Sequence, residues 1–360
     1  MNSRLISLDI FRGLTIAAMI VVNDPGSGSY IYAPLRHAQW HGVTPTDLVF
    51  PFFLFIVGVS IVLALSKRKS ADKPIFLKII KRSCILFLIG LSLALVPNFD
   101  FENLRVAGVL QRIALVYLFC SIIYLKSSNL TQVWLGISCL IVYWVFMTFV
   151  PFGGSIAGTL EPGNNFAAWI DQYITPGRLY QKTWDPEGFF STIPAMATGI
   201  SGMFCGHVIL NKSKDLKDKI ILIFVTGFSI MCLGLLWNYS FPMNKHIWTS
   251  SYVLFSSGVA MLFLSTCIWI IDLKKNSKRF HFGIVFGSNA IFAYVLHALL
   301  GRLFQIPVIS GKGIQQNWMD FGISTGIDPK FISLIWAVFY TWVIYLIVKE
   351  MYNRKIFIKI

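Results

Sequence analysis

Charge is scarce in this chain. Only 13% of its 360 residues are Asp, Glu, Lys or Arg, against 56% hydrophobic. A soluble globular domain of this size would need more polar surface, so that class is excluded. Cysteine is confined to Cys84, Cys120, Cys139, Cys205, Cys232 and Cys267, all inside apolar stretches and none in a C-x-x-C pair. They read as small packing residues, and neither a disulfide framework nor a zinc site is implied. No Walker A sequence occurs, nor a G-x-G-x-x-G in strand-to-helix context. Gly199, Gly202 and Gly206 instead line one helix with small residues suited to close helix packing. No internal repeat is visible, which weakens a transporter fold.

What is present is apolar sequence in long blocks, with a mean hydropathy of +0.67. Ten blocks are long enough to be read as spans, at about 6–23, 48–65, 83–97, 106–125, 133–150, 189–210, 219–237, 247–271, 282–300 and 331–348. The expected fold is an all-α integral membrane protein of about ten transmembrane helices, forming one polytopic domain over residues 1–360. Arg4 ahead of the first apolar run imitates a signal peptide. Asp9 and Arg12 interrupt that run and no A-x-A-like site ends it, so it reads as the first helix. The net charge of +15 is a topology signal rather than a nucleic-acid footprint. With an N-terminus in the cytoplasm, 22 of the 31 Lys and Arg fall on the cytoplasmic side. That asymmetry puts both termini there. The long connectors, 24–46, 151–188 and 301–330, then all face outward, where binding and catalysis concentrate.

Ionisable groups near a bilayer are costly and tend to be functional. His37 and Asp47 sit at the mouth of the second span, and Asn23 closes the first at the same interface. His37 can accept a proton, Asp47 can orient the imidazole, and Asn23 can donate to a developing oxyanion. The plainer alternative makes Asn23 and Asp47 helix caps and His37 an interfacial polar residue. His41, four residues after His37, invites a metal reading, but no third ligand is near and no metal is expected. Arg112, inside the fourth span beside Gln111, needs an anion or water; it can equally pair with Asp185, Glu187 or Asp47. Asn289 and His297 fall on the ninth span, about 80° apart around one continuous helix, and can border one cavity. A satisfied core histidine is the alternative for His297. Asp9 and Arg12 can pair at the cytoplasmic end of the first helix.

Several stretches together resemble the heparan-α-glucosaminide N-acetyltransferase family, whose animal member works in the lysosomal membrane, and its bacterial relatives. They are Ser7-Leu8-Asp9-Ile10-Phe11-Arg12-Gly13, His37-Ala38-Gln39-Trp40, TPTDLVFP at 44–51, RVAGVLQRIALVY at 105–117, Asp185-Pro186-Glu187-Gly188 and the terminal segment 354–360. The resemblance implies acetyl transfer from acetyl-CoA to the amine of a terminal glucosamine across the membrane. It puts the active-site histidine on His37, the asparagine on Asn23 and the nearby aspartate on Asp47. Gln111, Arg112, Asp185, Glu187, Asn289 and His297 become the expected substrate- or cofactor-binding residues. His41 stands where the animal enzyme has asparagine and inherits no role. The animal protein's long luminal N-terminal segment has no counterpart here, so the acceptor is expected to differ more than the chemistry.

The expected protein is therefore an acetyl-CoA-dependent N-acetyltransferase of a bacterial cytoplasmic (inner) membrane. It would act on an amino-sugar or glycan acceptor within a lipid bilayer, without nucleic acid or metal, and is compatible with a homodimer. Basic residues at the cytoplasmic helix ends, such as Lys67, Arg68, Lys81 and Arg82, would favour the phosphates of CoA. The alternatives are an amino-sugar permease and an O-acyltransferase acting on a cell-envelope sugar.

Overall fold

A computed structural model of the protein describes residues 5–66, 73–96, 98–307 and 311–358. Lys67 and Arg68, named above as cofactor-facing cations, lie outside the described residues. Among the described residues, thirteen α-helices account for nearly all the regular structure. The first five are α1 (Ile6–Asn23), α2 (Val49–Leu65), α3 (Lys73–Leu95), α4 (Val109–Lys126) and α5 (Asn129–Phe149). A two-stranded hairpin, β1 (Leu160–Glu161) with β2 (Asn164–Asn165), leads into the short α6 (Phe166–Ile174). Next come α7 (Thr192–Leu210), α8 (Leu216–Trp237) and α9 (Ser250–Cys267), the last running on through a π-helical turn at Ile268–Leu273. The chain ends with α10 (His281–Ser288), α11 (Ala290–Gln305), α12 (Ile314–Ser324) and α13 (Pro329–Asn353).

Helices dominate because a chain in hydrocarbon must satisfy its backbone polar groups internally. The sequence marks several starts with capping side chains. Ser128 accepts from Thr131 N at 3.2 Å, Asp215 from Asp218 N at 2.7 Å and Asp328 from Phe331 N at 2.9 Å, the last with Pro329 as first helical residue.

Among the described residues, eight helices are long and apolar enough to cross a membrane, and nine if α10 and α11 together make one broken span. The chain is thus an all-α, multispan integral membrane protein. The remaining expected span corresponds to α3, whose first half carries Lys73, Lys78, Lys81 and Arg82. Its apolar part, 83–95, reaches only about 20 Å, short of a hydrocarbon core of about 30 Å. The ninth span departs from expectation more sharply, because α10 and α11 meet at an angle of 72°. Asn289 stands at the break, with φ −130° and ψ 43°. It and His297 therefore do not share one continuous helix, and the expected 80° relation does not apply. Two of the long connectors hold structure of their own: the hairpin and α6 within 151–188, and α12 within 301–330.

The chain forms two compact units. The first comprises Met1–Ala38, Thr44–Phe50 and Thr266–Lys359; the second is essentially Gln39–Val43 with Pro51–Ser265. In the first, α1 and α10 touch backbone to backbone. A Cβ on Gly13 would lie 1.9 Å from Gly283 O, and one on Gly287 would lie 2.0 Å from Asp9 O. In the second, α2 and α7 meet the same way, with a Cβ on Gly58 falling 1.8 Å from Gly199 O and one on Gly202 falling 2.0 Å from Phe55 O. The glycine line of α7 thus does the packing expected of it, replacing side-chain volume with close dispersion contact.

Gly58→Val should drive α2 from α7 and lower stability by at least the ~1–3 kcal/mol typical of overpacking. Gly28→Ala, with open space around it, should leave the protein unchanged. Thermal unfolding in detergent compares the two.

Candidate active site

The first unit holds the histidine that the sequence singles out. A 3₁₀ turn at Pro45–Leu48 precedes α2 and carries Asp47 as its third residue. One carboxylate oxygen, Oδ2, accepts from Thr44 N, Thr44 Oγ1 and Ala38 N, each at 3.0 Å. The other, Oδ1, lies 2.7 Å from His37 Nδ1. Asp47 therefore caps the turn and also holds the His37 ring. With an acceptor opposite Nδ1, that nitrogen carries the hydrogen and Nε2 is the basic one. Asp47 has 1% of its side-chain surface exposed and His37 has 42%, so a fixed carboxylate holds an accessible imidazole. Asn23, the last residue of α1, is exposed.

The same unit contains a second pair that the sequence reading missed in half. His297 Nδ1 lies 2.9 Å from Asp24 Oδ2, and Tyr340 donates its hydroxyl to His297 O at 2.5 Å. Asp24 follows Asn23 as the C-cap of α1, a position that reads as ordinary helix punctuation. Asn289 is buried, and its amide clasps the C-terminal segment: Nδ2 donates to Ile356 O and Oδ1 accepts from Ile358 N, both at 2.9 Å.

The second unit gathers Arg105, Arg112, Asp185 and Glu187, though not in the expected pairing. Arg105 takes the carboxylates. Its Nε donates to Asp185 Oδ2 at 2.7 Å, and its Nη2 donates to Asp185 Oδ1 at 2.6 Å and Glu187 Oε2 at 2.5 Å. The guanidinium also lies 4.7 Å above the Tyr180 ring. Burial disfavours its charge, but the hydrogen bonds and charges of Asp185 and Glu187 outweigh that and raise its pKa above the ordinary value. Among the described residues Arg112 forms no ion pair. It donates to Gly188 O at 2.8 Å and Ser191 Oγ at 2.5 Å, with its guanidinium carbon 5.1 Å from the centre of the Trp248 ring. Gln111 is buried against Gly90 and Gly108, where an added Cβ would come within 2.3 and 2.7 Å of its Oε1.

Asp171, on α6, completes this network and was not anticipated. It accepts from Phe190 N at 2.9 Å. A Cβ on Gly188 would lie 1.8 Å from Asp171 Oδ2, so any larger residue there would displace that carboxylate. Beside these loops lies an open pocket of about 730 Å³, bordered by Asn103, Gln172, Arg178 and Lys182.

A family model described as "Heparan-alpha-glucosaminide N-acetyltransferase, catalytic" matches residues 4–241, a stretch that contains the His37–Asp47 pair and the Arg105 network. The chain belongs to that family. The heparan-alpha-glucosaminide N-acetyltransferases of Mus musculus and Homo sapiens are each 30% identical to it, over 368 and 366 aligned residues respectively. Each alignment covers 84% of this chain and 54% of the relative, so the chain spans about half the length of the curated relatives it matches.

Within the family segment, His41 follows the expected histidine without sharing its setting. Burial lowers its pKa from the ordinary value, against the opposing charge of Glu161. Among the described residues no group of three His, Cys, Asp or Glu is placed to hold a metal ion. The Arg105 pairing was missed because the D-P-E turn matches the charge of Arg112 equally well, and the sequence carries no signal that separates the two.

Burial pushes the Asp171 carboxyl up from 3.8 to about 6, with the Phe190 N–H and the Arg112 charge opposing. A pKa raised on folding means that the folded chain binds the proton more tightly than the unfolded one. Its stabilisation is complete below pH 3.8 and is lost as pH rises through about 6. Stability should therefore fall across that window, by at most about 3 kcal/mol. Asp171→Asn should remove the slope, as read from unfolding in detergent at pH 5 and pH 8.

Proposed function

We propose that this protein is a transmembrane acetyltransferase that moves an acetyl group from cytoplasmic acetyl-CoA to the amine of a glucosamine-type sugar on the extracytoplasmic side. The His37–Asp47 pair carries this reading, because it joins a fixed carboxylate to a partly exposed imidazole. Membership of a family named for glucosaminide N-acetylation supports the substrate class.

The membrane setting has a physical logic. CoA is polyanionic and the acceptor is polar, so neither crosses hydrocarbon unaided. A protein that exposes the thioester to an external amine transfers only the acetyl group. At the basic half of α3, Lys81 and Arg82 suit the phosphates electrostatically, and Arg82 lies 4.8 Å above the Tyr117 ring.

In the proposed reaction the neutral amine attacks the thioester carbonyl carbon. The C–N bond forms as a tetrahedral oxyanion develops, and His37 Nε2 takes the proton that nitrogen loses. The C–S bond then breaks, and the proton passes from His37 to the departing thiolate. Asp47 holds the imidazole and stabilises its protonated form. Asn23 is assigned to the oxyanion, where loss of one donor usually costs on the order of 3 kcal/mol in the barrier. Gln111, Arg112, Asp185 and Glu187 shape the second unit rather than take part in proton transfer.

One observation favours a different reading. The broken pair α10–α11 is the kind of discontinuous helix from which transporters build substrate sites, and it keeps an amino-sugar permease as the alternative. A permease accumulates glucosamine in vesicles without acetyl-CoA; the enzyme does not, and forms N-acetylated product only when acetyl-CoA is supplied.

His37→Ala should insert and fold normally yet lose nearly all turnover of glucosamine and acetyl-CoA in liposomes, and Asp47→Asn should lose at least about 100-fold in kcat. Unchanged turnover in His37→Ala would remove the proposed base. Labelled acetyl trapped on His37 without acceptor would replace direct transfer by an acetyl-histidine intermediate.

A further inference from the structure

Three rings in the second unit form a cluster that the reaction described above does not use. Trp40 and His246 stack with centroids 5.4 Å apart and planes within 8°. Trp184 stands edge-on to both, at 5.1 Å and 78° from Trp40 and 5.4 Å and 83° from His246. All three are half-buried.

The cluster is rigidly mounted. Trp40 donates its indole N–H to Leu160 O at 2.8 Å. Gly42 N donates to Met243 O at 2.8 Å, tying the segment after Trp40 to the one before His246. Asn244, fully buried, accepts from His246 N at 2.8 Å. Trp40 also packs against an aromatic core that includes the fully buried Tyr143 and Phe241.

That mounting engages Trp40's polar edge and leaves aromatic surface partly accessible. Such surface suits a ligand whose C–H faces are apolar and whose rim is polar, which describes a pyranose ring. Ring faces also attract a cation through their quadrupole, and an amino sugar arrives largely as an ammonium ion. A carboxylate is close by: Glu161 follows Leu160, the acceptor of the Trp40 N–H, and its charge is felt at His41, which lies edge-on to Trp40 at 6.1 Å. Trp40 stands three residues after His37 in the chain.

We propose that Trp40, Trp184 and His246 form a platform that binds the pyranose ring of an amino sugar, with Glu161 favouring its ammonium group. This assignment rests on the reading of the protein as an amino-sugar acetyltransferase and names the residues that select its acceptor. They are binding residues and take no part in proton transfer.

The test uses the full chain in detergent, with glucosamine binding measured calorimetrically without acetyl-CoA and steady-state kinetics measured alongside. Trp40→Ala and Trp184→Ala should each raise Kd and KM for glucosamine about tenfold, leaving kcat and the KM for acetyl-CoA within about twofold. Trp184→Phe, which keeps a ring face, should recover most of the loss and guards against a folding defect. Glu161→Gln should weaken glucosamine while leaving glucose unaffected. The platform is overturned if wild-type protein binds no glucosamine, if both alanine variants keep the wild-type Kd, or if they lower kcat at constant KM. If the variants lose glucosamine binding but wild-type protein forms no acetylated product, the platform stands and the acetyltransferase reading falls. If product forms and KM is insensitive to both tryptophans, the platform alone falls.

Discussion

A single buried carboxylate organises the turn before α2 and the histidine beside it. Asp47 does what an acidic residue in the first turn before a helix ordinarily does, taking the backbone N–H of Thr44 and so closing the entry to α2. The same oxygen binds Ala38 N, which draws the preceding loop back onto the turn, and the other oxygen is left to face His37. The imidazole is thus positioned by a device the helix needs anyway. One residue serves both the turn and the ring, and removing the carboxylate would loosen the turn as well as misorient the imidazole.

The second unit uses charge differently. Arg105 with Asp185 and Glu187 forms a bidentate and bridging set of short hydrogen bonds that fixes the connector between α6 and α7. Removing one partner of this part-buried set leaves the other charge uncompensated. Arg112 approaches the same connector from within α4, bonding Gly188 O and Ser191 Oγ. Gly188 lets the Asp171 carboxylate occupy the space that a Cβ would take. The connector is therefore held through the side chains of Arg105 and Arg112, which start and enter one span.

Much of this was legible in the sequence, and the limits have physical causes. Spans announce themselves by composition, and the His37–Asp47 pair by two polar residues ten apart at the mouth of one span. Pairings across long separations do not. Charge alone offers Asp185 and Glu187 to Arg112 as readily as to Arg105, and only the fold decides that Arg105 takes them. The break at Asn289 was invisible because the surrounding residues stay apolar, and the partners of its amide, Ile356 and Ile358, lie 67 and 69 residues on. The Trp40, Trp184 and His246 cluster draws on three segments with no shared periodicity, so no local pattern could reveal it. Asp24 was overlooked because an acid at a helix end needs no special explanation.

Among the described residues, the first unit contains two histidine–aspartate pairs with the same connectivity, and comparing them separates an accessible ring from an enclosed one. In each, a carboxylate oxygen meets Nδ1, at 2.7 Å for His37 and 2.9 Å for His297. Geometry alone would qualify either for proton transfer. Access does not: His37 exposes 42% of its side chain and His297 only 9%. The Tyr340 hydroxyl bonds the backbone of His297, and the Tyr294 ring stands edge-on to its imidazole at 5.3 Å. A general base has to reach the atom whose proton it takes, to within hydrogen-bond distance or one water. An imidazole enclosed by tyrosines instead suits joining α11 to the end of α1, while His37 combines orientation with reach. That difference, more than the hydrogen bond the two pairs share, is why the proposed proton transfer is assigned to His37.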